Sequence, residues 1–199
     1  MYFDKKNFQA QLPELEILIR NHKLPSWEQI PDIGLYMDQV ILLMNEYLEI
    51  YIKNVNDSKI ITPSIINNYV KMGIIPPPVK KKYFRVHLAY LLIVCSLKQS
   101  LSISTITKII PVNINNDEVE KIYSAFSESE YAVFNSLSDE VSSALSPIMD
   151  EDDSDDAFYN LIMQTALSAN AFKLLTEKMT FEPDDSEEDE KNSKTKTKK

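Results

Sequence analysis

Four polar residues between residues 61 and 73 recur at a spacing suited to one face of a helix. They are Ser64, Asn67, Asn68 and Lys71, within the stretch ITPSIINNYVKMG. At about 100° per residue, their side chains project on the same side. An asparagine amide can make two hydrogen bonds to adenine in the major groove, and lysine can contact guanine. The four residues are therefore base-reading candidates, unless they are simply the solvent-facing side of a short helix.

The helix that would hold them has sequence signals at both ends. Thr62-Pro63 is typical of an N-cap followed by proline at the first helical position. Gly73 is suited to the left-handed residue that closes a helix. The side opposite the polar face is apolar, with Ile65, Ile66, Tyr69, Val70 and Met72. We therefore predict a short amphipathic helix from Pro63 to Met72.

A proline turn and a basic run follow this helix. Pro76-Pro77-Pro78 is incompatible with a helix interior and predicts an extended turn. The run from Lys80 to Phe84 could form a short strand or wing. Side chains of this kind contact phosphate oxygens in protein–DNA complexes. The phosphate-contact candidates are Thr62, Tyr69, Lys80, Lys81, Lys82, Tyr83 and Arg85.

The charge of the chain is unevenly distributed. No Asp or Glu occurs from Lys59 to Asn116, although the chain has 30 acidic residues and a formal net charge of −9. A surface that faces a polyanion excludes carboxylates, because each one would repel phosphate. The alternative is a basic face that docks on the acidic remainder of the same chain. Both interpretations remain open from sequence alone.

The surrounding elements are predicted to be helices. Candidates are Pro13–Arg20, an apolar stripe from Ile33 to Tyr51, Arg85–Lys98 and Ser102–Ile110, with a polar break at 53–61. The order of helix, polar turn, short helix, proline turn, basic segment and apolar helix is that of a winged helix-turn-helix. We therefore predict this fold for residues 35–115, preceded by an N-terminal helical arm at 1–34.

The C-terminal part is acidic. A long helix or a broken pair is predicted beyond Asp117, with one apolar face formed by Ile122, Phe126, Val133, Leu137, Val141, Leu145 and Ile148. A charged break at 150–156 precedes a last stripe, formed by Phe158, Leu161, Ile162, Thr165, Ala169, Phe172 and Leu175. We predict an acidic helical region at 116–181 and a disordered charged tail at 182–199.

Several classes of function lack their required residues. Two glycines, Gly34 and Gly73, cannot build a Walker loop or a dinucleotide fingerprint. The single cysteine, Cys95, lies in an apolar run and is predicted to be buried and inert. With two histidines, metal-ligand spacing is missing: His87 suits a capping role and His22 has no evident partner.

The acidic run at 150–156 lacks the glycine and glutamate positions of an EF-hand. We predict no enzymatic activity, no metal and no cofactor. There is no signal segment, and no stretch approaches the ~20 apolar residues of a membrane helix, so a cytoplasmic location is expected.

Residues 61–110, ITPSIINNYVKMGIIPPPVKKKYFRVHLAYLLIVCSLKQSLSISTITKII, resemble the DNA-binding head of MerR-type regulators. Tyr69, Gly73-Ile-Ile-Pro76 and Tyr83 occupy matching positions. Those proteins usually carry Arg at the position of Asn67 and a longer, glycine-containing wing. Over roughly residues 25–115, the chain more closely resembles domain-of-unknown-function family 1836, an uncharacterised bacterial family. ITPSIINNYVKMGIIPPPVKKKY followed by HLAYL carries that resemblance.

Together these features predict a mainly α protein with a MerR-like winged helix-turn-helix, a short β wing and a helical C-terminal region. The expected function is a homodimeric transcriptional regulator that binds double-stranded DNA, with 116–181 dimerising or binding a protein partner. The alternative is a protein-interaction module whose basic head docks on an acidic partner or on its own acidic half. RNA is less favoured, because no aromatic-rich sheet motif for single strands is visible.

Overall fold

The computed structural model describes residues 5–52, 60–112, 114–150 and 155–180. In these ranges the fold is mainly α, as predicted, with one 3-10 turn at Trp27–Gln29. β pairing within the described residues is limited to two isolated bridges. The α-helices are α1 Lys5–Asn21, α2 Met37–Tyr47, α3 Glu49–Ile52, α4 Pro63–Lys71, α5 Arg85–Leu97, α6 Ile103–Ile109, α7 Asn116–Asp150 and α8 Asp155–Met179.

Helix α5 is the centre of the core. Every residue from His87 to Ser96 is buried, including Cys95, as predicted. A helix that is apolar around its whole circumference has to be covered on all sides. Helices α2 and α7 pack against α5, and the core also takes in Ile66 of α4 and Ile106 of α6. Because α4 and the basic segment both join this core, α5 fixes their relative position.

Helix α7 is one continuous helix of 35 residues, which decides between the long helix and the broken pair. The predicted apolar face is wrong at Val133 and Leu137, whose side chains are exposed, whereas Val141 is half-buried. The side chains of Leu145 and Ile148 lie outside what the structure describes. The buried face instead passes through Tyr123, Glu130 and Ser138. Because the buried face of α7 carries polar residues in this part of the helix, the spacing of its apolar residues predicts the wrong face as buried.

Two N-terminal predictions also need correction. The first helix runs from Lys5 to Asn21 and contains Pro13, so it begins earlier than predicted. Packing of α1 against α7 favours the longer helix despite the proline. The Ile33 stripe begins a helix only at Met37. Residues before it are extended because Leu35 pairs with Tyr83 through two backbone hydrogen bonds of 2.8 Å.

His22, which lacked an evident partner in the sequence, is buried in a polar cluster. Its Nε2 atom lies 3.6 Å from Oε2 of Glu130. The Tyr51 hydroxyl donates to the other Glu130 oxygen at 2.8 Å, and the His22 ring meets that of Phe134 edge-on at 4.7 Å. The cluster joins the end of α1, α3 and the middle of α7.

Two further predictions fall outside what the structure describes, namely the tail at 182–199 and most of the polar break, at 53–59. Within the described residues, no helix has the length and apolar character needed to cross a membrane.

Candidate nucleic-acid interface

Helix α4 has the predicted caps at both ends. Thr62 is extended, and its Oγ1 accepts the backbone N–H of Ile65 at 3.3 Å, with Pro63 following as the first helical residue. Gly73 has φ +68°. The N–H groups of Gly73 and Ile74 bond to the carbonyls of Val70 and Tyr69 at 3.1 and 2.9 Å. This is a Schellman motif, which only a left-handed residue closes without strain.

The predicted polar face of α4 is exposed along its length. Ser64, Asn67, Asn68 and Lys71 all face solvent. Ile66 and Tyr69 are buried on the opposite side. Met72 was predicted to lie on the apolar face, but its side chain is exposed. The structure therefore brings the four base-reading candidates together on one rigid, capped helix.

The predicted wing is a two-residue turn. Val79 and Lys82 exchange two backbone hydrogen bonds of 3.0 Å, and no regular strand forms among the described residues. Lys80 and Lys81 connect them with φ values of +50° and +64°. Two successive left-handed residues define a type I′ turn, which usually recruits Asn-Gly. Each lysine bears a cost of roughly 1 kcal/mol in this conformation. Both side chains are exposed at the tip.

The turn is held from two sides. The bridge between Leu35 and Tyr83 fastens one side to the segment before α2. Glycine suits that approach, because a Cβ atom at Gly34 would lie 2.7 Å from Cδ of Lys82 and the lysine side chain would have to shift. On the other side, His87 Nδ1 accepts the N–H of Phe84 at 3.0 Å, and Nε2 donates to the carbonyl of Pro77 at 3.1 Å. His87 is therefore a buried structural histidine, as predicted, that ties the proline turn to α5.

The charged phosphate-contact candidates occupy different environments. Lys80 and Lys81 are free at the tip, whereas Lys82 is half-buried with its Nζ 5.3 Å from the ring centroid of Tyr36. Arg85 is less available than predicted, because its Nε donates to the carbonyl of Ile30 at 2.9 Å and its guanidinium covers Trp27 at 5.5 Å. Arg85 therefore fastens the 3-10 turn to α5.

The three phosphate-contact candidates that carry a hydroxyl group have structural roles in the fold. Tyr69 and Tyr83 are buried, and Oγ1 of Thr62 caps α4. Burial raises the pKa of Tyr69 to about 12 and also raises the pKa of Tyr83. The tyrosines fill the core and the threonine holds the helix start, so these hydroxyls are less available than the lysines, and their contact to phosphate stays a prediction.

The profile of a family described as a domain of unknown function, DUF1836, matches residues 25–126. The chain belongs to this family. No curated protein and no solved structure matches it. The DUF1836 region begins before the 3-10 turn and ends within α7. The two ends of this region are in contact in the fold, because the Tyr123 hydroxyl donates a hydrogen bond to the carbonyl of Pro25 at 2.7 Å.

The positive charges of four lysines, on α4 and in the Val79–Lys82 turn, are not neutralised by ion pairs with the described carboxylates. Among the described residues, none of the carboxylates forms an ion pair with Lys71, Lys80, Lys81 or Lys82, whereas α1 and α7 are joined by a pair between Arg20 and Asp139 at 3.6 Å. Lys59 lies outside the described residues. Tyr36, which is exposed beside Lys82, was not among the residues predicted from the sequence. Only the three-dimensional pairing of its segment with the turn reveals that position.

Proposed function

We propose that this DUF1836 protein binds double-stranded DNA as a MerR-like transcriptional regulator. In this proposal the head is a winged helix-turn-helix, α4 enters the major groove and the Val79–Lys82 turn lies on the phosphate backbone. The proposal rests chiefly on one observation, namely an exposed polar face on a capped helix, followed along the chain by an exposed turn whose lysines form no ion pair with the described carboxylates. The activity is binding, without catalysis, metal or cofactor.

The dimensions of α4 suit this role. The major groove, about 12 Å wide, admits an α-helix of about 10–12 Å diameter, and the nine residues of α4 give about 13 Å of helix along which the polar face is exposed. Asn67 and Asn68 would read bases, flanked by Ser64 and Lys71. Because one short helix reads few base pairs, a homodimer on symmetric half-sites would give the required affinity.

The turn supports the phosphate-binding part of the proposal. Asparagine and glycine would adopt the backbone of Lys80 and Lys81 at little cost, yet the chain has lysine at both positions. Because the two lysines lower local stability, we infer that they are present for a functional reason. Two ammonium groups at an exposed tip offer a contact to phosphate. Lys82, fixed near Tyr36, would contribute from the side of the turn.

The proposal is tested by measuring retention of genomic DNA fragments by the full chain over a range of salt concentrations. We expect selective binding with a log–log salt slope of roughly −4 to −5, from four to six phosphate contacts. Changing Lys80, Lys81 and Lys82 together to alanine should flatten the slope. Changing Asn67 and Asn68 to alanine should reduce selectivity and leave the slope nearly unchanged. Failure of the full chain to retain any fragment selectively would overturn the proposal.

A second candidate is a protein-interaction module whose basic head docks on an acidic partner. The observation that favours it is a cluster of exposed apolar residues close to the lysines, comprising Ile33, Tyr36 and Val79. Apolar groups beside cations suit an acidic protein surface. Docking on the chain's own acidic half is less favoured, because none of the described ion pairs involves these lysines. Pull-down of an acidic protein that requires Ile33 and Tyr36, without selective DNA retention, would favour this candidate.

A further inference from the structure

Helix α8 changes character halfway along its length. At its start Phe158 is buried, with its ring centroid 5.2 Å from that of Phe8 in α1, and Leu161 and Ile162 are half-buried. Beyond residue 166 most side chains of the helix are exposed. Five large apolar side chains there have exposed fractions between 55% and 77%, namely Leu167, Phe172, Leu174, Leu175 and Met179. The apolar stripe thus continues past the point where the described part of the chain covers it.

An uncovered helix of this length and composition needs a partner. An isolated helix of about 13 residues is marginally stable in water, because most helical stability in proteins comes from packing of an apolar face. The charged residues from Leu167 to Met179 are Lys173, Glu177 and Lys178. A monomeric protein rarely leaves such a contiguous apolar surface in water.

The area of this face matches a small self-association interface. Burying a large aliphatic side chain removes on the order of 100 Å² of apolar surface from water. At about 100° per residue the five side chains span about 160° of the helix surface, so an interface that covered the whole span would bury roughly 500 Å² per copy and about 1,000 Å² in total, the size at which specific interfaces begin.

The spacing also suits the pairing of identical helices. Phe158, Thr165, Phe172 and Met179 follow each other at seven-residue intervals, and so do Leu161, Ser168 and Leu175. A seven-residue repeat keeps one seam facing a partner helix; of the five exposed side chains, Phe172, Leu175 and Met179 lie on this seam, and Leu167 and Leu174 lie to one side of it. The exposed half of α8 has only one net positive charge from its three charged residues, so it lacks the strong charge by which an oppositely charged partner would be selected.

We propose that residues 167–179 of α8 bind the same residues of a second copy of this chain. An antiparallel crossing near Leu175 would set Phe172 opposite Met179 of the second copy, where sulfur–aromatic contacts are favourable. This surface does not depend on DNA binding. If the DNA proposal also holds, the dimer would supply the two heads that symmetric half-sites require.

The test is the mass of the full chain in solution, measured by sedimentation equilibrium. We expect a dimer at micromolar concentration. The double variant Phe172→Glu/Leu175→Glu should weaken it by more than about 100-fold, because four carboxylates would enter the interface. The control is Leu42→Glu, which changes an equally exposed leucine on α2 and should leave the mass unchanged. A wild-type chain that stays monomeric up to about 100 μM would overturn the proposal.

A second measurement covers the case in which the glutamates disturb folding. The chain has one cysteine, Cys95, which is buried and whose thiol pKa is raised to about 12 by that burial, so it reacts slowly. A Leu175→Cys variant should therefore form a covalent dimer under mild oxidation, whereas Leu42→Cys should not. Equal cross-linking of the two variants would contradict the proposed surface even if the mass indicated a dimer.

Discussion

Replacing Lys80-Lys81 by Asn-Gly should make the protein more stable and a poorer ligand for DNA. Both lysines have left-handed backbone angles. That conformation costs an L-residue with a Cβ roughly 1 kcal/mol, asparagine less and glycine almost nothing. The double variant Lys80→Asn/Lys81→Gly should therefore raise the free energy of unfolding by about 1–2 kcal/mol. For a chain of this size, Tm would rise by about 2–8 °C.

The same variant removes two cations from the exposed tip of the turn. Each lost phosphate contact lowers the magnitude of the log–log salt slope by about 0.9, so the slope should flatten by about 2. The expected result is a pair of opposite changes, with stability increased and DNA affinity decreased. Few alternative explanations produce both, because damage to the fold would lower the two together.

Thermal unfolding and DNA retention at several salt concentrations are measured on the same preparations. The matched control is Lys98→Gln/Lys108→Gln, which removes equal charge elsewhere. Lys98 lies just beyond the C-terminal end of α5, and the 13 residues of that helix separate it from the turn by about 20 Å. The control should leave the slope nearly unchanged. Lower stability of the Asn-Gly variant would refute the turn geometry, and an unchanged slope would refute the phosphate contacts.

Three further predictions concern stability. Burial raises the pKa of both Cys95 and Tyr69 to about 12, above their unfolded values near 9 and 10. The denaturant midpoint of unfolding should therefore be constant below about pH 9 and fall as the pH rises toward 12. A midpoint that does not fall would contradict the burial of these two side chains. His87→Ala removes two hydrogen bonds that hold the proline turn and should cost about 2–4 kcal/mol in urea unfolding, whereas a loss below about 0.5 kcal/mol would show that the turn is held elsewhere. Glu130→Ala leaves His22 buried without its carboxylate and should cost roughly 3 kcal/mol, while Glu130→Gln, which can still accept a tyrosine hydroxyl, should cost less; equal losses would show that the amide cannot replace the carboxylate.

Local signals accounted for α4 and its exposed face. Its start depends on Thr62 and Pro63, and its end on Gly73, all within a few residues of the helix they limit. A periodic pattern with caps at both ends leaves little for distant contacts to alter. The polar face was therefore predictable residue by residue, although its proposed contacts to bases stay a prediction.

Long-range contacts explain what the sequence could not provide. The partner of His22 is Glu130, on a helix far along the chain, and no pattern links the two. Tyr69 was predicted both to lie on the apolar face of α4 and to offer its hydroxyl to phosphate, and only its packing in the core shows that the side chain is buried. The left-handed lysines were unexpected for a different reason, since turn propensity favours Asn-Gly at those positions.

The two-residue turn also limits how far the head can reach. A hairpin cannot be shorter, so its lysine tip stays close to α5 and cannot extend along a groove as a long, flexible loop would. Any insertion between Val79 and Lys82 would lengthen that reach and also release the two lysines from their left-handed angles. In relatives with a longer loop, reach and backbone strain would thus change together, and the length of this one turn would set the footprint of the head.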